Sequence, residues 1–289
     1  MNTGATIPAV ALGTWRSEKG QVASAVEHAL KVGYPALIYE NEKEVGQGIK
    51  ASGVPQSEIF LTSKLWNTFH DDVESSLEES LNSLGVDYRD LLLVHWPVRL
   101  VSNESSRLFP VNANGTRAVD RQWTMSKTWA AMERVYRSGK VKAIGVCNWS
   151  IPYLEKLERT WTIVPAVNQA ELHPYNPPLG SADSTLLSDP EIVAIAAKHN
   201  VSPATVLTSY QPARGVVVLP KSVSKSHIES NLQLVHLDDK DMETLNTLAA
   251  KGKQQRFVTP LFGSDLGFDD WYSEQAAAKL ASKGYSKKR

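Results

Sequence analysis

Leu91-Leu92-Leu93-Val94-His95-Trp96-Pro97 is the stretch whose reading decides the fold. Four apolar residues follow one another with no polar residue between them, which describes a strand covered on both faces. That is the setting of a parallel sheet rather than of a sheet with one face in water. The run then ends on an ionisable side chain, His95, just before a proline. Moving outward, the same unit recurs. Ile59-Phe60-Leu61-Thr62 leads to Lys64, Ala143-Ile144-Gly145-Val146 to Asn148, the apolar stretch 164–167 to Gln169, and Val216-Val217-Val218-Leu219 to Lys221.

Helical patterns fill the intervals. Val22, Ala25, Val26, Ala29 and Leu30 fall at helical spacing, with Gly33 where such a helix would stop. Asp71 or Asp72 can cap a helix carrying Val73, Leu77, Leu81 and Leu84, closed by Gly85. Asp189-Pro190 and Ser202-Pro203 each open a helix with proline at the favoured first position, and Asp238 or Asp239 can cap another. Repeated strand-helix units predict an α/β fold with a parallel sheet, and right-handed crossovers can close it into a (β/α)8 barrel of the TIM type. Such a barrel gathers its strand C-termini on one face, so Lys64, His95, Asn148, Gln169 and Lys221 are expected to converge on one mouth.

The whole chain bounds the function. Its 289 residues contain 31 basic and 31 acidic side chains, so no nucleic-acid surface is indicated. Its composition, 42% hydrophobic and 21% charged, suits a core buried without staples. Cys147 is the only cysteine, which excludes an intramolecular disulfide and a four-cysteine zinc site, and no metal is expected. The N-terminus lacks a basic-then-apolar signal pattern, and no apolar run reaches membrane-spanning length, so no membrane partner and a cytoplasmic location are expected. Without a long Pro/Gly/Ser linker, residues 1–289 are read as a single domain. No Gly-x-Gly-x-x-Gly segment follows a strand and no Gly-x-Ser-x-Gly elbow occurs, so neither a doubly wound dinucleotide fold nor a serine hydrolase is supported.

The strand ends also carry a family resemblance. Tyr39-Glu40-Asn41-Glu42 with Val45-Gly46, Leu61-Thr62-Ser63-Lys64-Leu65-Trp66, and the opening stretch through His95 resemble the three catalytic segments of the aldo-keto reductases. Gly145-Val146-Cys147-Asn148, Val167-Asn168-Gln169 with Glu171 and His173-Pro174, and Leu219-Pro220-Lys221-Ser222 are similar to that family's cofactor-binding segments. The likeness runs in the family's order from about Ile7 to Trp271. It implies reduction of a small carbonyl compound, an aldehyde or ketone, by hydride from NADPH. Tyr39 would give the proton, Lys64 would lower the tyrosine's pKa, and His95 would orient the carbonyl oxygen. Asn148 and Gln169 would hold the nicotinamide, Leu179, Gly180 and Ser181 the pyrophosphate, and Lys221, Ser222 and Asn231 the adenosine end with its 2′-phosphate. Trp66, Trp96 and His95 would face the substrate, with Phe109 beside them. A C-terminal loop over about 252–275, bearing Phe257, Phe262, Phe268 and Trp271, would close the pocket. A monomer is expected.

Two departures from the family pattern predict an incomplete barrel. After Gly33-Tyr34 the family has a strand whose aspartate pairs with the lysine; here Pro35-Ala36-Leu37-Ile38 leads straight to Tyr39, the strand is shortened, and that aspartate has no counterpart. After His173-Pro174-Tyr175-Asn176 the family continues through a helix and a strand ending in the tyrosine that stacks on the nicotinamide. Here Pro177-Pro178 follows at once, so one helix-strand unit is missing. His227 and Ser230 stand where the family has arginine and glutamate, while Asn231 is kept. The alternative reading is therefore an impaired member of the family that serves as a nucleotide-binding or interaction protein.

Overall fold

Side-chain oxygens placed before the apolar faces start several helices. The structure, a computed structural model, describes residues 1–15, 17–34, 41–175, 184–258, 260, 262–264 and 266–268. In chain order these form α1 (Val22–Lys31), α2 (Glu42–Ser52), β1 (Thr62–Leu65), α3 (Val73–Leu84), β2 (Leu91–Val94), α4 (Met125–Arg137) and β3 (Ile144–Cys147). They continue with α5 (Ile151–Glu158), β4 (Asn168–Gln169), α6 (Ser184–Leu187), α7 (Pro190–His199), α8 (Pro203–Ala213), α9 (Lys225–Leu232) and α10 (Asp239–Thr247). The Asp72 carboxylate accepts from the Ser75 amide to cap α3, Asp189 caps α7 with Pro190 in its first turn, and Ser202 caps α8. Asp238 and Asp241 form a reciprocal capping box on α10. Gly33 and Gly85 lie just past α1 and α3 at φ of 97° and 68°, the left-handed region that glycine enters without steric cost.

β1 to β4 form one parallel sheet in sequential order. Its registers pair Lys64 with Leu93, Leu93 with Gly145, and Cys147 with Gln169. Val10 pairs with Val218 and Gly13 with Lys221, also in parallel, which joins the N-terminal segment to the last strand-like stretch. Alternation along β2 and β3 sorts their residues into two layers. Leu92, Val94, Ile144 and Val146 pack outward onto Leu77 and Leu81 of α3 and Trp129 and Met132 of α4. Leu91, Leu93, Ala143 and Cys147 pack inward with Ile7, Phe60 and Val167. The architecture is an α/β parallel barrel.

The strand limits differ from the sequence reading in an informative way. β1 begins at Thr62 rather than near Ile59, because the Leu61 amide donates to the Asp90 carboxylate at 2.9 Å instead of entering a ladder. Lys64 is therefore inside the strand, not beyond it. The stretch 164–167 is not itself a strand. Ala166 and Val167 are still held to β3 by the Ala166 amide on the Ile144 carbonyl and the Val146 amide on the Val167 carbonyl, while the ladder proper falls on Asn168–Gln169. Among the described residues no strand lies between β4 and the 218–221 stretch. The two segments on either side of that interval are half-exposed, with Val164 at 50% and 216–220 intermediate, whereas every residue of β2 and β3 is buried. The shortened strand before Tyr39 lies outside the described residues.

Candidate active site

Register decides what meets at the mouth. Lys64 sits in the same cross-strand row as Leu93 and Gly145, facing the barrel interior, and the next row holds Cys147 and Gln169. Gly145 is needed in that row: a Cβ there would come within 2.6 Å of the Val167 carbonyl oxygen and 2.8 Å of Leu93 Cδ2. His95 follows β2, its amide on the Leu65 carbonyl, and its ring is buried. Asn148 ends β3 in the left-handed conformation, φ 61°, which turns its side chain back across the strand ends. Its Nδ2 donates to the His95 carbonyl at 3.1 Å, and its own amide donates to the Gln169 carbonyl at 2.9 Å. Lys64, His95, Asn148 and Gln169 are thus brought together at four adjacent strand ends.

The electrostatics follow from burial. Desolvation lowers the Lys64 pKa below its ordinary value, opposed by the neighbouring Cys147. The Cys147 thiol is pushed up to about 11 by its own burial, opposed by the Lys64 charge. His95 is held well below the usual imidazole range, first by desolvation and then by the charges of Lys64 and His70. A neutral His95 ring keeps one N–H to donate and one nitrogen to accept. Cys147 was read only as a lone cysteine beside Asn148, and His70 was not singled out in the sequence. Both became neighbours of the site only through strand parity and chain reversal.

Aromatic side chains make one wall. The Trp66 ring meets His95 at 4.9 Å and Phe109 at 5.1 Å between centroids, and its Nε1 donates to the Leu108 carbonyl at 2.6 Å. Trp96 stacks near His95 and meets Phe262 at 5.5 Å. Phe268 lies under the Arg256 guanidinium at 4.9 Å, while Phe257 packs on His173. Trp271 lies outside the described residues, as do Tyr39, Leu179, Gly180 and Ser181.

Lys221 and Ser222 lie beyond the stretch that pairs with the N-terminal segment, where the Gly13 amide donates to the Pro220 carbonyl at 2.9 Å. Lys221 is exposed and has no ion-pair partner among the described residues. The Ser222 hydroxyl accepts from the Ser224 amide at 3.1 Å, and Asn231 of α9 is buried close by in sequence. A cation beside hydroxyls at an open turn suits a phosphate group, so these residues fit the adenosine end of a phosphorylated dinucleotide. Glu42, close to Tyr39 in sequence, does not serve the site. It is instead committed to the fully buried Arg89 at 3.2 Å and to the Ser80 hydroxyl.

The chain belongs to the aldo/keto reductase family, whose model matches residues 9–185 and 176–250. The two matched pieces overlap around the point where Asn176 runs directly into Pro177-Pro178, the position expected to lack a helix-strand unit. The chain is 45% identical over 300 residues to a D-galacturonate reductase of Hypocrea jecorina, covering 93% of this chain and 97% of that protein. It is 43% identical over 290 residues to a glycerol 2-dehydrogenase (NADP(+)) of Saccharomyces cerevisiae, covering 90% and 93%. An aldose reductase structure from Schistosoma japonicum superimposes with a TM-score of 0.86 at 34% identity, covering 94% of this chain and 98% of that one.

Proposed function

We propose that this protein reduces aldehydes or ketones to alcohols with NADPH, Tyr39 giving the proton. The observation that carries the reading is the linkage of Lys64, His95, Asn148 and Gln169 at adjacent strand ends of one parallel sheet. Bound NADPH supplies a hydride to the carbonyl carbon, and the protein's own groups manage the oxygen. A neutral His95 donates one hydrogen bond to that oxygen and fixes its position, which an imidazolium in so desolvated a place could not do cheaply. The Lys64 ammonium stabilises the phenolate that Tyr39 leaves behind, bringing a phenol that ordinarily titrates near ~10 closer to neutral pH. Asn148 and Gln169 orient the nicotinamide amide, Leu179, Gly180 and Ser181 bracket the pyrophosphate, and Lys221, Ser222 and Asn231 receive the adenosine end with its 2′-phosphate. Trp66 and Trp96 wall the carbonyl side. The cofactor choice is supported by the unpaired cation at Lys221 and by the NADP(+) in the name of one relative. The names of relatives acting on D-galacturonate and glycerol make polyhydroxylated carbonyl compounds the first substrates to try.

A second reading, a family member that binds nucleotide with little turnover, is favoured by the commitment of Glu42 to Arg89. Loss of NADPH absorbance with a panel of sugar, short-chain and aromatic aldehydes separates the two. Turnover that disappears in Tyr39→Phe supports the reductase. NADPH binding without Tyr39-dependent turnover rejects it in favour of the second reading. We further propose a monomer acting on small molecules and not on membranes; among the described residues no helix is long and apolar enough to cross one.

A further inference from the structure

Segment 255–258 is fastened to the far side of the barrel mouth by an unusual contact. The Glu171 carboxylate, two residues beyond β4 and 8% exposed, accepts two consecutive backbone amides, from Phe257 at 2.9 Å and from Val258 at 2.7 Å. Beside it the Gln255 amide donates to the Tyr175 carbonyl at 3.0 Å, and the Phe257 ring packs on His173 at 4.9 Å. Downstream, two further bonds hold the same loop. The Ser150 hydroxyl donates to the Leu266 carbonyl at 2.6 Å, and the Arg121 guanidinium to the Gly263 carbonyl at 2.8 Å. Between these anchors Phe262 and Leu266 pack on Trp96, Val98 and Leu100, the wall next to His95.

We propose that Glu171 is the positioning residue for the substrate side of the site: by gripping the Phe257 and Val258 amides it sets where the C-terminal loop meets Trp96. The three anchors are not equivalent. Arg121 is exposed and Ser150 makes a single neutral bond, whereas the buried Glu171 carboxylate makes two charge-assisted bonds to consecutive amides. Glu171 also stands where the loop begins, on a segment continuous with the sheet. Although Glu171 falls in a segment similar to the family's cofactor-binding segments, its two carboxylate oxygens are taken up by the Phe257 and Val258 amides. It acts on acceptor fit alone.

The inference rests on the carbonyl-reductase reading, so its test has one readout that needs no turnover. Glu171→Gln keeps the shape but turns an NH2 group toward one of the two amides. The expected result is trypsin cleavage after Lys251, Lys253 or Arg256 about fivefold faster or more, with NADPH affinity unchanged. For a bulky aromatic aldehyde KM is to rise roughly tenfold, while kcat for a short-chain aldehyde stays close to wild type. Should Glu171→Gln not fold, Val258→Pro deletes one donor from the loop side while keeping the Phe257 ring, and is to give the same rise in protease sensitivity. Wild-type protease resistance in the folded variant overturns the proposal whether or not the protein turns over substrate. So does a fall in kcat at constant KM, or weakened NADPH binding, since either places Glu171 in the chemistry or the cofactor site.

Discussion

His70 shows how burial sets protonation states around this site. It is 1% exposed, neither ring nitrogen has a hydrogen-bond partner among the described residues, and burial, followed by the Arg99 charge, lowers its pKa to about 3. In the unfolded chain the same ring titrates near ~6.5. Its folded pKa is depressed, so its contribution is complete above the unfolded value and is lost as pH falls from there toward the folded one, where the unfolded state alone takes up the proton. Denaturation at a series of pH values is therefore expected to show stability declining between about 6.5 and 3, by at most about 5 kcal/mol from this group. His70→Leu should flatten that decline. An unchanged slope in the variant would assign the acid sensitivity to carboxylates elsewhere.

At the scale of elements, the contact of β3 with the segment leading into β4 is tightly packed. Gly145 leaves no room for a side chain, so Gly145→Ala must push the Val167 carbonyl and Leu93 apart. Overpacking of this kind costs about 1–3 kcal/mol, and here it also separates Asn148 from Gln169, whose backbones are bonded at 2.9 Å. The variant is expected to melt lower and to bind NADPH more weakly, as followed by fluorescence titration. A lower melting point with wild-type affinity would mean that the two residues do not act together on one ligand. The helix limits needed no tertiary information, since Asp72, Asp189, Ser202 and Asp238 mark them chemically. The limits of β1 did, because the Asp90 carboxylate captures the Leu61 amide across 29 residues of chain.

For the molecule as a whole, the interval between β4 and the 218–221 stretch, where no strand occurs among the described residues, sets the barrel's local stability. β1 to β3 have neighbours on both edges or helices packed against them, whereas on either side of the interval β4 is exposed at Asn168 and half-buried at Gln169, and residues 216–220 are half-buried. Backbone bonds exposed to solvent open locally at lower cost than those in the core. Hydrogen exchange is expected to be faster at 166–169 and 216–221 than at 91–94 and 144–147 by about a hundredfold or more. Equal protection of the two sets would show that another part of the chain covers the interval, and would remove the argument for weakened closure.

The unbroken apolar run before His95, the cap residues and the polar endings of successive strands settle the parallel α/β barrel and its chemical face within the sequence itself, because burial on both sides of a strand leaves no other composition. The order of motifs likewise settles the family. Tertiary structure decided which polar groups act on one another. Lys64 meets Cys147 because alternate residues of neighbouring strands share a face, and His95 feels His70 because the chain turns back after β1. Glu42 goes to Arg89, and Glu171 reaches Phe257 and Val258 across 86 and 87 residues of chain. Contacts of that span depend on how the chain closes on itself, and local spacing carries no trace of them.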